Sequence, residues 1–159
     1  IGKRRQDNRT RYTPLMAAAK TGKLDLVNML IKNKADINYE NEYGQSALIE
    51  CTMLDNYNIT LCLLQNGADY TKPILYRPDD SIPVEQQAAE DKSTPIYLVD
   101  ILRETLLDLD TEEYQYKMEV VRFLKTKGID YRKAPIPEFI KQRAQEMYPE
   151  TWKQYLEIY

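Results

Sequence analysis

Leu24, Val27, Leu30 and Ile31 place apolar side chains at i, i+3, i+6 and i+7 among Asp25, Asn28 and Lys32, a stripe that predicts a helix with one side to bury. A shorter helix is predicted before it. Thr13 followed by Pro14 supplies a hydroxyl cap and then a proline in the first turn, where its missing N–H costs nothing. Leu15, Ala18 and Ala19 give that helix small side chains that let a neighbour approach closely, and Gly22 is placed to end it. Asn38 through Gly44 is polar and holds the turn residues Asn41 and Gly44, as a projecting loop requires.

The pattern then returns. Thr13, Leu15, Leu30, Ile31, Ala35 and Asp36 recur as Ser46, Leu48, Leu63, Leu64, Ala68 and Asp69, each at one fixed spacing. The segment Thr13-Pro14-Leu15-Met16-Ala17-Ala18-Ala19-Lys20-Thr21-Gly22, with Val27, Leu30, Ile31 and Ala35-Asp36-Ile37-Asn38 after it, resembles the ankyrin repeat. Gly44-Gln45-Ser46-Ala47-Leu48 and Leu63-Leu64-Gln65-Asn66-Gly67-Ala68-Asp69 give its second copy. The resemblance implies an all-α fold, a solenoid of about three helix pairs with a polar-faced helical cap at its C-terminal end.

A stretched third copy is read from Thr94-Pro95-Ile96, through Met118, Val120, Val121 and Leu124, to Lys127-Gly128-Ile129-Asp130. Extra residues lie before it, where Pro73, Pro78 and Pro83 stand, and inside it around Asp108-Leu109-Asp110-Thr111. The expected organisation is a basic segment at 1–7, a stack over 8–131 with copies at 8–40, 41–72 and 89–131, an insertion at 73–88, and capping helices at 132–159. Pro135 and Pro137 would open the first capping helix and Pro149 the second. A short adaptor motif around Pro137-Glu138-Phe139-Ile140 is the rival to capping there, and capping is the favoured reading.

Departures from the family pattern are local. The histidine that usually follows the capping Thr by three residues is replaced by Met16, Ile49 and Tyr97. Lys34 and Asp55 stand where the family places glycine, which predicts left-handed non-glycine residues. Arg11 and Lys92 replace the loop glycine seen at Gly44.

Composition narrows the chemistry. The 159 residues contain no His, which removes the commonest general base and a frequent zinc ligand, and no carboxylate pair has the ligand spacing of a calcium loop. No enzyme, cofactor or metal is expected. Cys51 and Cys62 are too few for a disulfide framework and read as reduced core cysteines, which favours an intracellular, cytoplasmic setting. No apolar run approaches the roughly 18 residues needed to span a bilayer, so membrane insertion is not expected. The start at Ile1 suggests a piece of a longer protein.

Charge is uneven. Residues 1–11 hold five basic side chains against Asp7, whereas residues 79–119 hold twelve acidic side chains against Lys92, Arg103 and Lys117. The acidic stretch argues against nucleic acid and for a basic protein partner. The resemblance implies binding through a concave face built from the first helices and the loops. Mapped onto this chain, that face holds Tyr12, Lys20, Glu42, Tyr43, Gln45, Met53, Glu90 and Asp91. Tyr12, Tyr43 and Gln45, nearest the loops, are the preferred contacts. Met53, Leu54, Ile101 and Leu102 fit recognition or packing between repeats equally. The expected role is a protein-interaction module, adaptor or scaffold, and a monomer. The alternative is a targeting or regulatory part of a larger enzyme, channel or secreted effector.

Overall fold

The computed structural model describes residues 12–78 and 93–159, which form two compact units divided between Asp69 and Tyr70. The basic segment at 1–7, Arg11, most of the 73–88 insertion, Glu90, Asp91 and Lys92 lie outside the described residues.

In the first unit, two helix pairs follow the expected order: α1 (Pro14–Lys20), α2 (Leu24–Lys32), α3 (Ala47–Thr52) and α4 (Tyr57–Gln65). The caps are where the repeat places them. Thr13 Oγ1 accepts the Met16 N–H at 3.2 Å, and Ser46 Oγ accepts the Ile49 N–H at 3.3 Å. Each satisfies a donor that the first helical turn leaves without a partner inside the helix. The first helices pack on each other, as do the second, so α1 lies against α3 and α2 against α4. Leu15, Ala18, Ala19, Val27, Leu48, Cys51, Ile59 and Leu63 are buried in that packing. Met16, in the family's histidine position, is buried as well.

Polar side chains fasten one pair to the next. Asn56 Nδ2 donates to the Ala19 and Lys20 carbonyls at 3.1 and 3.3 Å, closing the end of α1. Asn38 Nδ2 donates to the Gly67 carbonyl at 3.0 Å, and Asn38 Oδ1 accepts the Asp69 N–H at 2.8 Å. Two sequence expectations are met in part. In the α2 stripe, Val27 is buried but Leu24, Leu30 and Ile31 are only half-buried, whereas Leu63 and Leu64 of α4 are buried. Within this unit α2 has a second-helix neighbour on one side only. Cys51 is a buried free thiol whose pKa burial pushes up to about 12, while Cys62 is half-exposed with Sγ 3.2 Å from Asn28 Oδ1.

The second unit contains a short antiparallel ribbon, β1 (Leu75–Arg77) with β2 (Thr94–Ile96), in which Tyr76 faces Pro95. Helices α5 (Leu98–Glu104), α6 (Glu112–Thr126), α7 (Glu138–Met147) and α8 (Trp152–Ile158) follow, with a 3₁₀ turn at Tyr131–Lys133. Thr94-Pro95 therefore does not start a helix. Both residues are drawn into the ribbon, and α5 begins at Leu98, where Asp100 Oδ2 reaches back to the Tyr97 N–H at 2.9 Å. The second helix of this pair is as expected, with Val120 and Leu124 buried and Gly128 left-handed at its end. Part of the extra length inside the third copy is helical: α6 has 15 residues where α2 and α4 have 9.

The closing helices pack around Ile140, Ala144, Tyr155 and Tyr159, against Leu106 and Leu109 from the loop between α5 and α6. Tyr155 ties that loop down, its hydroxyl donating to the Leu107 carbonyl at 2.8 Å and accepting the Leu107 N–H at 3.3 Å. Arg103 and Lys117 are both buried here beside aromatic rings. The Arg103 guanidinium lies 4.4 Å from the Tyr131 ring centre and Lys117 Nζ lies 4.0 Å from that of Tyr159. Lys117 Nζ also donates to the Thr105 carbonyl at 2.8 Å.

Lys34 and Asp55 adopt φ of 63° and 57°, in the places where the paired copies have Gly67 at 93° and Gly22 at 72°. A side chain in this region costs about 1 kcal/mol or more. Lys34→Gly should accordingly raise stability in urea by about 1 kcal/mol, less the extra entropy glycine gives the unfolded chain. Asp55→Gly should gain less, because it removes the carboxylate oxygen that accepts the Tyr57 hydroxyl at 2.8 Å. Equal midpoints for Lys34→Gly and the parent would refute the strain.

Candidate partner-binding surface

The loop between the two pairs of the first unit is organised by one buried side chain. Asn41 is 6% exposed, and its Oδ1 accepts the N–H groups of both Tyr43 and Gln45 at 3.0 Å. Its Nδ2 donates to Gln45 Oε1 at 2.8 Å, and its backbone closes the turn through Asn41 N–H to Gln45 O at 3.0 Å and Gly44 N–H to Asn41 O at 2.9 Å. Gly44, at φ 70°, makes the reversal. This bracing leaves Tyr43 at the tip with 64% of its surface exposed, and Glu42 exposed beside it. Gln45 is half-buried and its amide oxygen serves the loop.

A second group forms where α1 packs on α3. Glu50, in the first turn of α3, is 8% exposed. Its Oε2 lies 3.5 Å from Lys20 Nζ, and the Tyr12 phenol feels the same carboxylate. Lys20 Nζ lies 5.8 Å from the centre of the Tyr12 ring. Partial desolvation, then the Glu50 carboxylate, push the Tyr12 phenol up to about 12. At the end of α3, Met53 and Leu54 are about half exposed.

Of the residues expected to meet a partner, Tyr12 and Lys20 are brought together around Glu50; Tyr43 and Glu42 stand on the loop tip, and Met53 lies just past α3. In the second unit, Ile101 and Leu102 are buried and serve packing. Sequence reasoning missed Glu50. Its signal was available, since Glu50 takes the place that Ala17 holds in the first copy, a charged residue in a helix otherwise chosen for close approach.

The fold has known counterparts. Residues 1–74 match the family model for ankyrin repeats (three copies). Over 60 residues the chain is 45% identical to ankyrin repeat and SAM domain-containing protein 6 of Rattus norvegicus, covering 37% of this chain and 7% of that protein. Over 57 residues it is 40% identical to neurogenic locus notch homolog protein 2 of Homo sapiens, covering 36% of this chain and 2% of that one. The chain thus spans under a tenth of the length of these curated relatives. Capped helix pairs repeating at a fixed spacing define a repeat protein of the helix-pair class. The match over residues 1–74 makes this part of the chain similar to ankyrin repeats, in agreement with the helix pairs described there. Ankyrin repeats are generally protein-interaction modules and typically non-catalytic. Among the described residues no helix is long and apolar enough to cross a membrane.

Two outcomes follow from this geometry. Asn41→Ala strips two loop N–H groups of their acceptor and should cost about 2 kcal/mol in chemical denaturation, whereas Gln45→Ala, which leaves the backbone bonds intact, should cost under about 1 kcal/mol. Tyr12 has its folded-state pKa raised from 10.0 to about 12, so its contribution is full below pH 10 and is lost as pH rises from there toward 12. Tyr12→Phe should flatten the fall in stability across that window; an unchanged slope would mean that neither burial nor Glu50 perturbs the phenol.

Proposed function

We propose that this chain is a protein-binding module whose partner seats on the first-helix face and loop tip of the first unit. The supporting observation is the Asn41-braced loop, which holds an aromatic side chain at 64% exposure on an ordered backbone. An exposed tyrosine on braced backbone offers large contact area with few rotatable bonds to order, the character of an interface anchor. Tyr12, Lys20, Glu42, Met53 and Leu54 extend the surface. Glu90 and Asp91 belong to the same proposal by sequence alone. The acidic run over 79–119 supports a partner with a basic surface, steered by long-range attraction. Two free cysteines fit a reducing, cytoplasmic setting, and an adaptor acting as a monomer is the simplest form of the role.

The short share of each relative that the chain covers supports a second reading, in which the module targets or regulates an activity carried elsewhere in a larger protein. Both readings use the same surface. Tyr12→Ala combined with Tyr43→Ala, at unchanged thermal stability, should weaken binding to a partner identified by pull-down at least thirtyfold, from about 2 kcal/mol lost at an aromatic anchor. Full affinity in a well-folded double variant would move the interface off this surface.

A further inference from the structure

We propose that the Glu50 carboxylate and the Tyr12 ring form a subsite for an arginine side chain of the partner, and that Lys20 is the internal cation now occupying it. The inference rests on the binding surface proposed above and adds the chemistry of what seats there. Glu50 is a nearly buried carboxylate, and such a group needs hydrogen bonds and a counter-charge. The Tyr12 phenol feels this carboxylate, which helps to push its pKa up. The counter-charge comes from Lys20, but only loosely. Its Nζ stands 3.5 Å from Oε2, well beyond the 2.7–2.9 Å of a tight charge-assisted hydrogen bond, and the Lys20 side chain is 55% exposed. The same ammonium also sits within cation–π range of the Tyr12 ring.

Carboxylate and ring together therefore make a cation site of two parts, filled from the solvent side by a flexible side chain that water already solvates. A guanidinium suits it better than the resident ammonium. It is planar, stacks on an aromatic face and delivers two parallel N–H groups to one carboxylate. Displacing Lys20 leaves its charge in solvent at little cost, since exposed ion pairs contribute little. Glu50 falls where the first copy has Ala17, so the subsite is particular to the contact between α1 and α3 and fixes where along the surface an arginine would dock.

The test titrates acetyl-Gly-Arg-Gly-amide into isotope-labelled protein and follows the backbone amides of α1 and α3 by NMR. Lys20→Gln should tighten peptide binding about fivefold by removing the competing cation. Adding Glu50→Gln to that variant should weaken it about tenfold, and the uncharged citrulline peptide should not bind. Tyr12→Leu keeps the carboxylate and removes the ring; it should lower affinity about threefold and abolish the preference for arginine over lysine, an outcome readable even if Glu50→Gln does not fold. Affinity indifferent to Lys20→Gln and Glu50→Gln, or shifts confined to residues outside α1 and α3, would overturn the subsite. If the subsite fails while Tyr12→Ala with Tyr43→Ala still abolishes partner binding, the surface stands and only its arginine chemistry is wrong. If both fail, the surface itself is wrong.

Discussion

A helix of six to nine residues cannot hide its apolar side against a single partner helix, and that shortage of cover governs the first unit. The small residues of α1 and α3 let these helices lie close, and α2 and α4 carry the larger side chains that fill the space behind. Isolated helices of this length are marginal in water, so their order depends on the neighbour rather than on intrinsic propensity. The same constraint divides the surface. Many apolar positions are consumed between pairs, and the loop, the outer side of the first helices and the uncovered side of α2 are left to face solvent.

This division explains why so much was legible in the sequence. Thr13 and Ser46 announce helix starts through local chemistry, and the structure finds their oxygens on the expected N–H groups. Lys34 and Asp55 were recognisable as left-handed because the other copy has glycine at each place, and both have positive φ. Repetition supplies an internal control that a single helix pair would lack. Where repetition weakens, so does legibility. Thr94-Pro95 matches the capping signal of Thr13-Pro14, yet pairing with Leu75–Arg77 takes those residues into a ribbon, a non-local competitor that no local pattern discloses.

Buried charge was the other blind spot. Lys117 lies in an acidic, polar stretch and gives no sign of being enclosed, and Arg103 reads as an ordinary residue in the last turn of a helix. Their burial depends on Tyr131 and Tyr159, distant in sequence, whose rings supply a weakly polar lining, and on carbonyl groups such as that of Thr105. Many of the chain's thirteen tyrosines therefore build structure. Tyr155 secures the loop between α5 and α6, and Tyr159 donates to the Arg103 carbonyl. Counting aromatic residues would have overstated the binding surface; only exposure and bracing separate Tyr43 from Tyr155.

The two parts of the candidate surface differ in how they are held, and that difference bears on how they could bind. Tyr43 stands on backbone locked by Asn41, so little ordering cost remains to be met on contact, and its contribution would appear mainly as slow dissociation. Around Glu50 the arrangement is the reverse: a fixed carboxylate under an exchangeable cation. On the proposed arginine chemistry, an incoming charge would gain there only by the margin with which it outbids Lys20, so this part would add modest affinity and larger discrimination among side chains. If both parts act as proposed, an anchor on braced backbone together with an exchangeable charge site would let the surface hold through the first and select through the second.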